Sequence, residues 1–67
     1  MDPQLVTLAE WRELSPFSQG YLLYTQANWP GSELRGQQNP YAEGTRQRAR
    51  FQEGQRVATL DAQDSEE

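Results

Sequence analysis

Apolar positions along the chain fall into two helical stripes separated by a stretch without period. Phe17, Gly20, Leu23, Tyr24 and Ala27 recur in steps of three and four, which sets them on one side of a helix. Ser15-Pro16 opens it: serine is a favoured N-cap, and proline suits the first helical position, where an N–H would be unpaired anyway. Asn28 is a fitting C-cap and Pro30 forbids continuation, so the pattern predicts a helix over about 16–28. The second stripe is Phe51, Gly54, Val57 and Ala58, and Thr45 is its N-cap, which predicts a helix over about 46–60. Ahead of both, Thr7-Leu8-Ala9-Glu10 has capping-box form and Leu5, Leu8 and Trp11 keep helical spacing. A short helix over about 8–14 follows, one that needs tertiary support to persist.

Between the main helices, residues 29–44 hold Gly31, Gly36, Gly44, Pro30 and Pro40 with little periodicity. An ordered loop is predicted, because Trp29, Leu34 and Tyr41 would otherwise be exposed apolar surface. Residues 61–67 are acidic and lack an apolar anchor, so a disordered, solvated tail is expected there. The whole reads as all-α: one domain over 1–60, a small helical hairpin joined by an ordered Pro/Gly loop, with a short N-terminal helix.

The two main helices share a Phe-x-x-Gly unit, Phe17–Gly20 and Phe51–Gly54. Glycine inside a helix costs ~1 kcal/mol against alanine. Two coincidences in a tolerant sequence would explain the pair. The favoured reading is close helix–helix approach at Gly20 and Gly54, with the ring of one helix filling the notch left by the other's glycine.

Composition narrows the function classes. The chain has 67 residues, 34% of them hydrophobic, and neither Cys nor His. Disulfides and thiolate or imidazole metal sites are excluded, and a core this small leaves little stability in hand. Self-association or partner binding is therefore expected to contribute stability, with a homodimer as one form. Met1-Asp2-Pro3-Gln4 lacks the basic start and apolar run of a secretion signal, and no stretch approaches the length of a membrane span. A cytoplasmic location is expected. Ser15, Ser18, Ser32 and Ser65 have neither His nor Lys to activate them, and without Lys there is no phosphate-loop or Schiff-base lysine. The carboxylate pairs Glu10–Glu13 and Glu33–Glu43 would need a cleft that such a core hardly encloses. No catalytic residue, metal site or cofactor is assigned, and an enzyme is not expected.

Charge is distributed unevenly. All six basic residues are Arg, against ten acids, for a formal charge of -4. Yet Arg46, Arg48, Arg50 and Arg56 face only Glu53 within 44–60, while Asp61, Asp64, Glu66 and Glu67 crowd the end. Both signs oppose the dipole of the second main helix, and Arg46 and Arg50 repel at i, i+4. One reading is a screened surface with Arg50 and Glu53 compensating each other. The functional alternative is an anion at the helix N-terminus, met by Arg side chains and free backbone N–H groups. Phe17, Tyr24 and Phe51 are assigned to the core, and Trp29 and Tyr41 to an interaction surface. Aromatic residues beside arginine suit both protein hot spots and stacked single-stranded RNA.

Gly20-Tyr21 in the first main helix, then Asn39-Pro40-Tyr41-Ala42-Glu43-Gly44-Thr45, then Phe51-x-x-Gly54, resembles the ribosome modulation factor/CrpP-like family of small bacterial and phage proteins over roughly residues 16–60. The family pattern is Gly-aromatic in the first helix, Asn/Cys-Pro-Tyr in the loop and Trp-x-x-Gly-Trp in the second. Gly20, Tyr21, Pro40, Tyr41 and Gly54 match it. Phe51 stands where the family has Trp, Gln55 replaces the second Trp, the basic N-terminal arm is missing and the first loop is longer. The resemblance implies two helices joined by a loop that packs its Pro-Tyr step against them. It also implies a ribosome or rRNA partner, with Gly20, Pro40, Tyr41, Phe51 and Gly54 as structural residues. Arg46, Arg48, Arg50 and Arg56, with Trp29 and Tyr41, are the expected partner contacts. The alternative is a protein–protein adaptor of phage or mobile-element type. A CrpP-type enzyme modifying a small molecule stands a distant third.

Overall fold

The computed structural model describes residues 5–64. The fold is all-α: helices α1 (Leu8–Arg12), α2 (Pro16–Gln26) and α3 (Arg46–Asp64), with no strand among the described residues. Local chemistry sets the helix starts. Thr7 accepts from the Glu10 backbone N–H at 3.1 Å and Glu10 Oε1 accepts from the Thr7 N–H at 2.9 Å, the reciprocal capping box. Ser15 Oγ accepts from the Ser18 N–H with Pro16 at the first position of α2, and Thr45 Oγ1 accepts from the Arg48 N–H at 3.2 Å.

Three boundaries differ from the sequence pattern. α1 stops at Arg12 with Glu13 as its C-cap, two residues short of Leu14. α2 stops at Gln26 with Ala27, not Asn28, as C-cap. α3 runs four residues past Leu60, so the first part of the acidic run is helical; 65–67 lie outside the described residues. A specific tether explains the added turn. The Tyr21 hydroxyl donates to Asp61 Oδ2 at 2.9 Å, holding the end of α3 against α2.

The contact between α2 and α3 is made at glycine. Both Gly20 and Gly54 are buried. A Cβ on Gly20 would collide with the Phe51 carbonyl oxygen and lie 3.3 Å from the Gln55 nitrogen. A Cβ on Gly54 would collide with the Phe17 carbonyl oxygen and lie 3.0 Å from the Tyr21 nitrogen. Position 17 thus faces 54 and position 20 faces 51, so the helices run antiparallel with their Phe-x-x-Gly units in register. The expected notch exists, but rings do not fill it. Backbone carbonyls do, with a glycine Cα–H directed at each, a weak hydrogen bond that recurs at close helix crossings. Backbones can approach this far only where no side chain intervenes.

That crossing leaves the rings free to pack elsewhere. Phe51 is fully buried, with Trp11 edge-on at 6.2 Å between centroids and Tyr41 at 6.4 Å. Leu23 and Leu34 complete the buried cluster, and Val6, Leu8, Leu14, Leu22 and Ala27 pack around it. The core thus lies on one side of the α2–α3 pair, under α1 and the 27–45 connection. Phe17 is half-buried and Tyr24 is 44% exposed, so neither belongs to the core as the sequence pattern had placed them. The buried face of α2 is turned toward Gln19, Gly20 and Leu23 instead.

Alanine at either crossing glycine is predicted to destabilise the protein even though it favours the helix by ~1 kcal/mol. Overpacking costs about 1–3 kcal/mol, and here the obstacle is backbone, which yields least. Thermal melts of Gly20→Ala and Gly54→Ala should both show a lower Tm; an unchanged or higher Tm at either would contradict the close crossing. A second expectation concerns the α3 tether. The hydrogen bond to Asp61, reinforced by its charge, raises the Tyr21 pKa above its ordinary value. Stabilisation from this pair is complete below the unfolded phenol value and is lost as pH rises through the raised one. In an NMR titration of the Tyr21 ring, Asp61→Asn should lower the alkaline midpoint; no movement would dissociate Tyr21 from Asp61.

Candidate partner-binding surface

A buried amide organises the ground on which the loop sits. Gln19 is 2% exposed and all its polar atoms are engaged. Its Nε2 donates to the Trp11 carbonyl at 2.9 Å, while the Trp11 indole N–H donates back to the Gln19 carbonyl at 2.9 Å. Its Oε1 accepts from the Tyr41 hydroxyl at 2.6 Å. One side chain therefore ties α1, α2 and the loop together. Sequence pattern missed it because glutamine at a core position breaks the apolar stripe, and its spacing to Leu23 was the only available signal.

From Tyr41 the network continues into α3. The Tyr41 N–H donates to Asn39 Oδ1 at 3.0 Å, a turn made by the Asn side chain itself. Asn39 Nδ2 reaches the Arg48 carbonyl at 3.5 Å, and Arg48 Nη1 donates to the Tyr41 carbonyl at 3.0 Å. The Asn39-Pro40-Tyr41 step is thus fastened to α2 through Gln19 and to α3 through Arg48. Pro40 itself is exposed. Upstream in the loop, Leu34 is fully buried, and Glu33 Oε1 accepts from the Leu8 N–H at 3.0 Å at the start of α1. The carboxylates considered for acid–base pairing are therefore divided in role: Glu10 and Glu33 cap α1, while Glu13 and Glu43 are exposed.

The four arginines of α3 do not converge. Arg48 is half-buried and directed at the loop, whereas Arg46, Arg50 and Arg56 are exposed. At 100° per residue, Arg48 sits roughly 160° around the helix from Arg50. Arg50 Nη1 lies 3.3 Å from Glu53 Oε1, an exposed pair of small energetic weight. A shallow open depression of about 450 Å³ at the start of α3 is lined by Glu43, Gly44, Thr45, Arg48, Ala49 and Gln52. Thr45 already accepts one of the first-turn N–H groups there, and Glu43 contributes a carboxylate to the rim. The four arginines do not converge on this depression, which the sequence left open either as an anion site or as screened surface charge. A second shallow depression, about 400 Å³ and largely apolar, is lined by Leu14, Phe17, Ser18, Tyr21 and Leu22.

The two loop aromatics part company. Tyr41 is half-buried and structural, while Trp29 is 45% exposed just beyond α2. No group of three or more acidic, His or Cys side chains that would hold a metal ion occurs among the described residues, and no helix there is long and apolar enough to cross a membrane.

Removing Gln19 should cost more than removing one of its partners. Gln19→Leu strands the Tyr41 hydroxyl, and a buried unsatisfied group costs about 1–3 kcal/mol. Tyr41→Phe leaves Gln19 Oε1 unpaired but keeps the ring on Phe51. Denaturant unfolding should rank the variants in that order, both below the parent; equal stability to the parent would contradict the network.

No family model, no curated protein and no solved structure matches this chain.

Proposed function

We propose that the chain is a small non-enzymatic binding protein of the cytoplasm, a helical hairpin of the ribosome-modulation type that associates with the ribosome through its RNA. The observation that carries this reading is the division of labour on α3. Its inner face, Phe51, Gly54 and Ala58, is buried against the rest of the fold, and Arg46, Arg50 and Arg56 are left at the surface. Guanidinium groups fork onto phosphate oxygens, and backbone phosphates need no enclosed cleft to be recognised. The residues that resemble the family pattern are occupied with structure: Gly20 and Gly54 at the crossing, and Tyr41 anchoring the loop to Gln19. Arg48 supports the reading in a different way from the other three, since it positions the Pro-Tyr step rather than facing a partner.

Adaptor function toward another protein is the second reading. It is favoured by exposed Trp29 and Tyr24, at 45% and 44%. Tryptophan and tyrosine are enriched among residues that dominate protein interfaces.

Salt separates the two. Three neutralised phosphates would make log affinity fall by about 2–3 per tenfold rise in salt. Co-sedimentation with ribosomes should therefore be strong at low salt, steeply weakened at high salt, and largely lost in an Arg46→Ala, Arg50→Ala, Arg56→Ala triple variant. An absence of ribosome association even at low salt would refute the ribosome reading. A salt-insensitive complex lost on Trp29→Ala would establish the adaptor.

A further inference from the structure

α3 is longer than the helix it packs against. Nineteen residues extend about 28 Å, against about 16 Å for the eleven of α2. In the register set by the glycines, position 16 of α2 faces position 55 of α3, so the end of α3 passes beyond the start of α2. The outer side of α3 is an unpartnered stripe. Arg46, Arg50, Glu53, Val57 and Leu60 follow one another in alternating steps of four and three, the repeat that lets two helices pack along a shared seam. Val57 is half-buried and Leu60 is 53% exposed, the most exposed large apolar side chain described.

Charge along this helix is segregated end to end. The first turns carry Arg46, Arg48 and Arg50, and the last carry Asp61 with Asp64 following it in the sequence. Each end bears the sign that its own helix dipole disfavours. Within one molecule the two ends of a helix this long cannot meet, so neither end offsets the other; Asp61 is held by the Tyr21 hydroxyl and Arg50 by Glu53 of its own helix.

We propose that the outer face of α3 is the contact between two copies of this chain, paired antiparallel about a two-fold axis. The axis crosses this stripe at the level of residue 55, whose own side faces α2, and brings Arg50 of each copy opposite Leu60 and Asp61 of the other. Arginine then meets carboxylate twice, once on each side of the axis. Leu60 is covered by the aliphatic stem of Arg50 from the second copy, and Val57 by that of Glu53. Antiparallel packing also sets the positive end of each helix dipole beside the negative end of its neighbour, and the misplaced charges become complementary. A closed two-fold pair is the commonest way for a small chain to cover such a face. This inference does not depend on the ribosome reading, though the pairing would cover Arg50 and so compete with an anionic partner.

Analytical ultracentrifugation at low salt, from micromolar to millimolar protein, reads the association directly. The parent chain should pass from 7.7 kDa to twice that mass, and added salt should shift the transition to higher concentration. Arg50→Glu and Asp61→Arg should each weaken self-association by at least about tenfold, since like charges then face each other twice. An equimolar mixture of the two variants should restore it, because both contacts in the mixed pair join opposite charges. Circular dichroism of each variant confirms that its helices persist. A parent that stays monomeric to millimolar concentration overturns the proposal. So does a dimer indifferent to both reversals, and so does a mixture that fails to recover, which would assign the face to a different partner.

Discussion

Two helices in this protein touch through their main chains, and the rest of the architecture is arranged around that contact. Gly20 and Gly54 each present a bare Cα to a carbonyl of the opposite helix, from Phe51 and Phe17. A single extra carbon on either side would occupy space the carbonyl already holds. The approach fixes register as well as distance, since only one antiparallel alignment sets both glycines against both carbonyls. It also decides where aromatic surface goes. With no room between the helices, Phe51 turns to one side of the pair, and Trp11, Leu34 and Tyr41 gather over it. A chain of this length has few apolar residues to distribute, and concentrating them on one side gives a small but fully covered cluster.

The polar network built on Gln19 is the second layer. Buried amides are costly unless every donor and acceptor finds a partner. Here Trp11, Gln19 and Tyr41 satisfy one another, and Arg48 continues the chain of bonds into α3. Such a network specifies one arrangement among several that hydrophobic contact alone would permit. It explains why a connection between α2 and α3 with three glycines of positive φ can still be well placed: Gly31, Gly36 and Gly44 supply the turns, and Leu34 and Tyr41 supply the anchors.

Much of this was legible in the sequence, and the failures have physical reasons. Helix starts were accurate because Thr7, Ser15 and Thr45 act through short-range hydrogen bonds that a local pattern encodes. Helix ends were less so. Glu13 and Ala27 end their helices three residues ahead of Pro16 and Pro30, which bound each helix without fixing its last residue, and α3 is prolonged by a tyrosine forty positions away in sequence. The paired glycines were visible as a repeated Phe-x-x-Gly, but periodicity shows which face a residue shares and not which atom fills a gap. Hence carbonyls stand where rings were expected. Arg48 illustrates the limit for function: from sequence it is one of four equivalent cations, and only its bond to the Tyr41 carbonyl separates it from Arg46, Arg50 and Arg56.

The most direct test of the close crossing is proton–proton proximity in solution. In a NOESY spectrum of the isotope-labelled protein, Gly20 Hα should show strong cross-peaks to the Gln55 amide proton. Gly54 Hα should show the matching set to the Tyr21 amide proton. Both sets present, in both directions, establish main-chain contact in this register. Glycine α-protons whose cross-peaks stay within their own helix would mean that α2 and α3 are held apart by side chains.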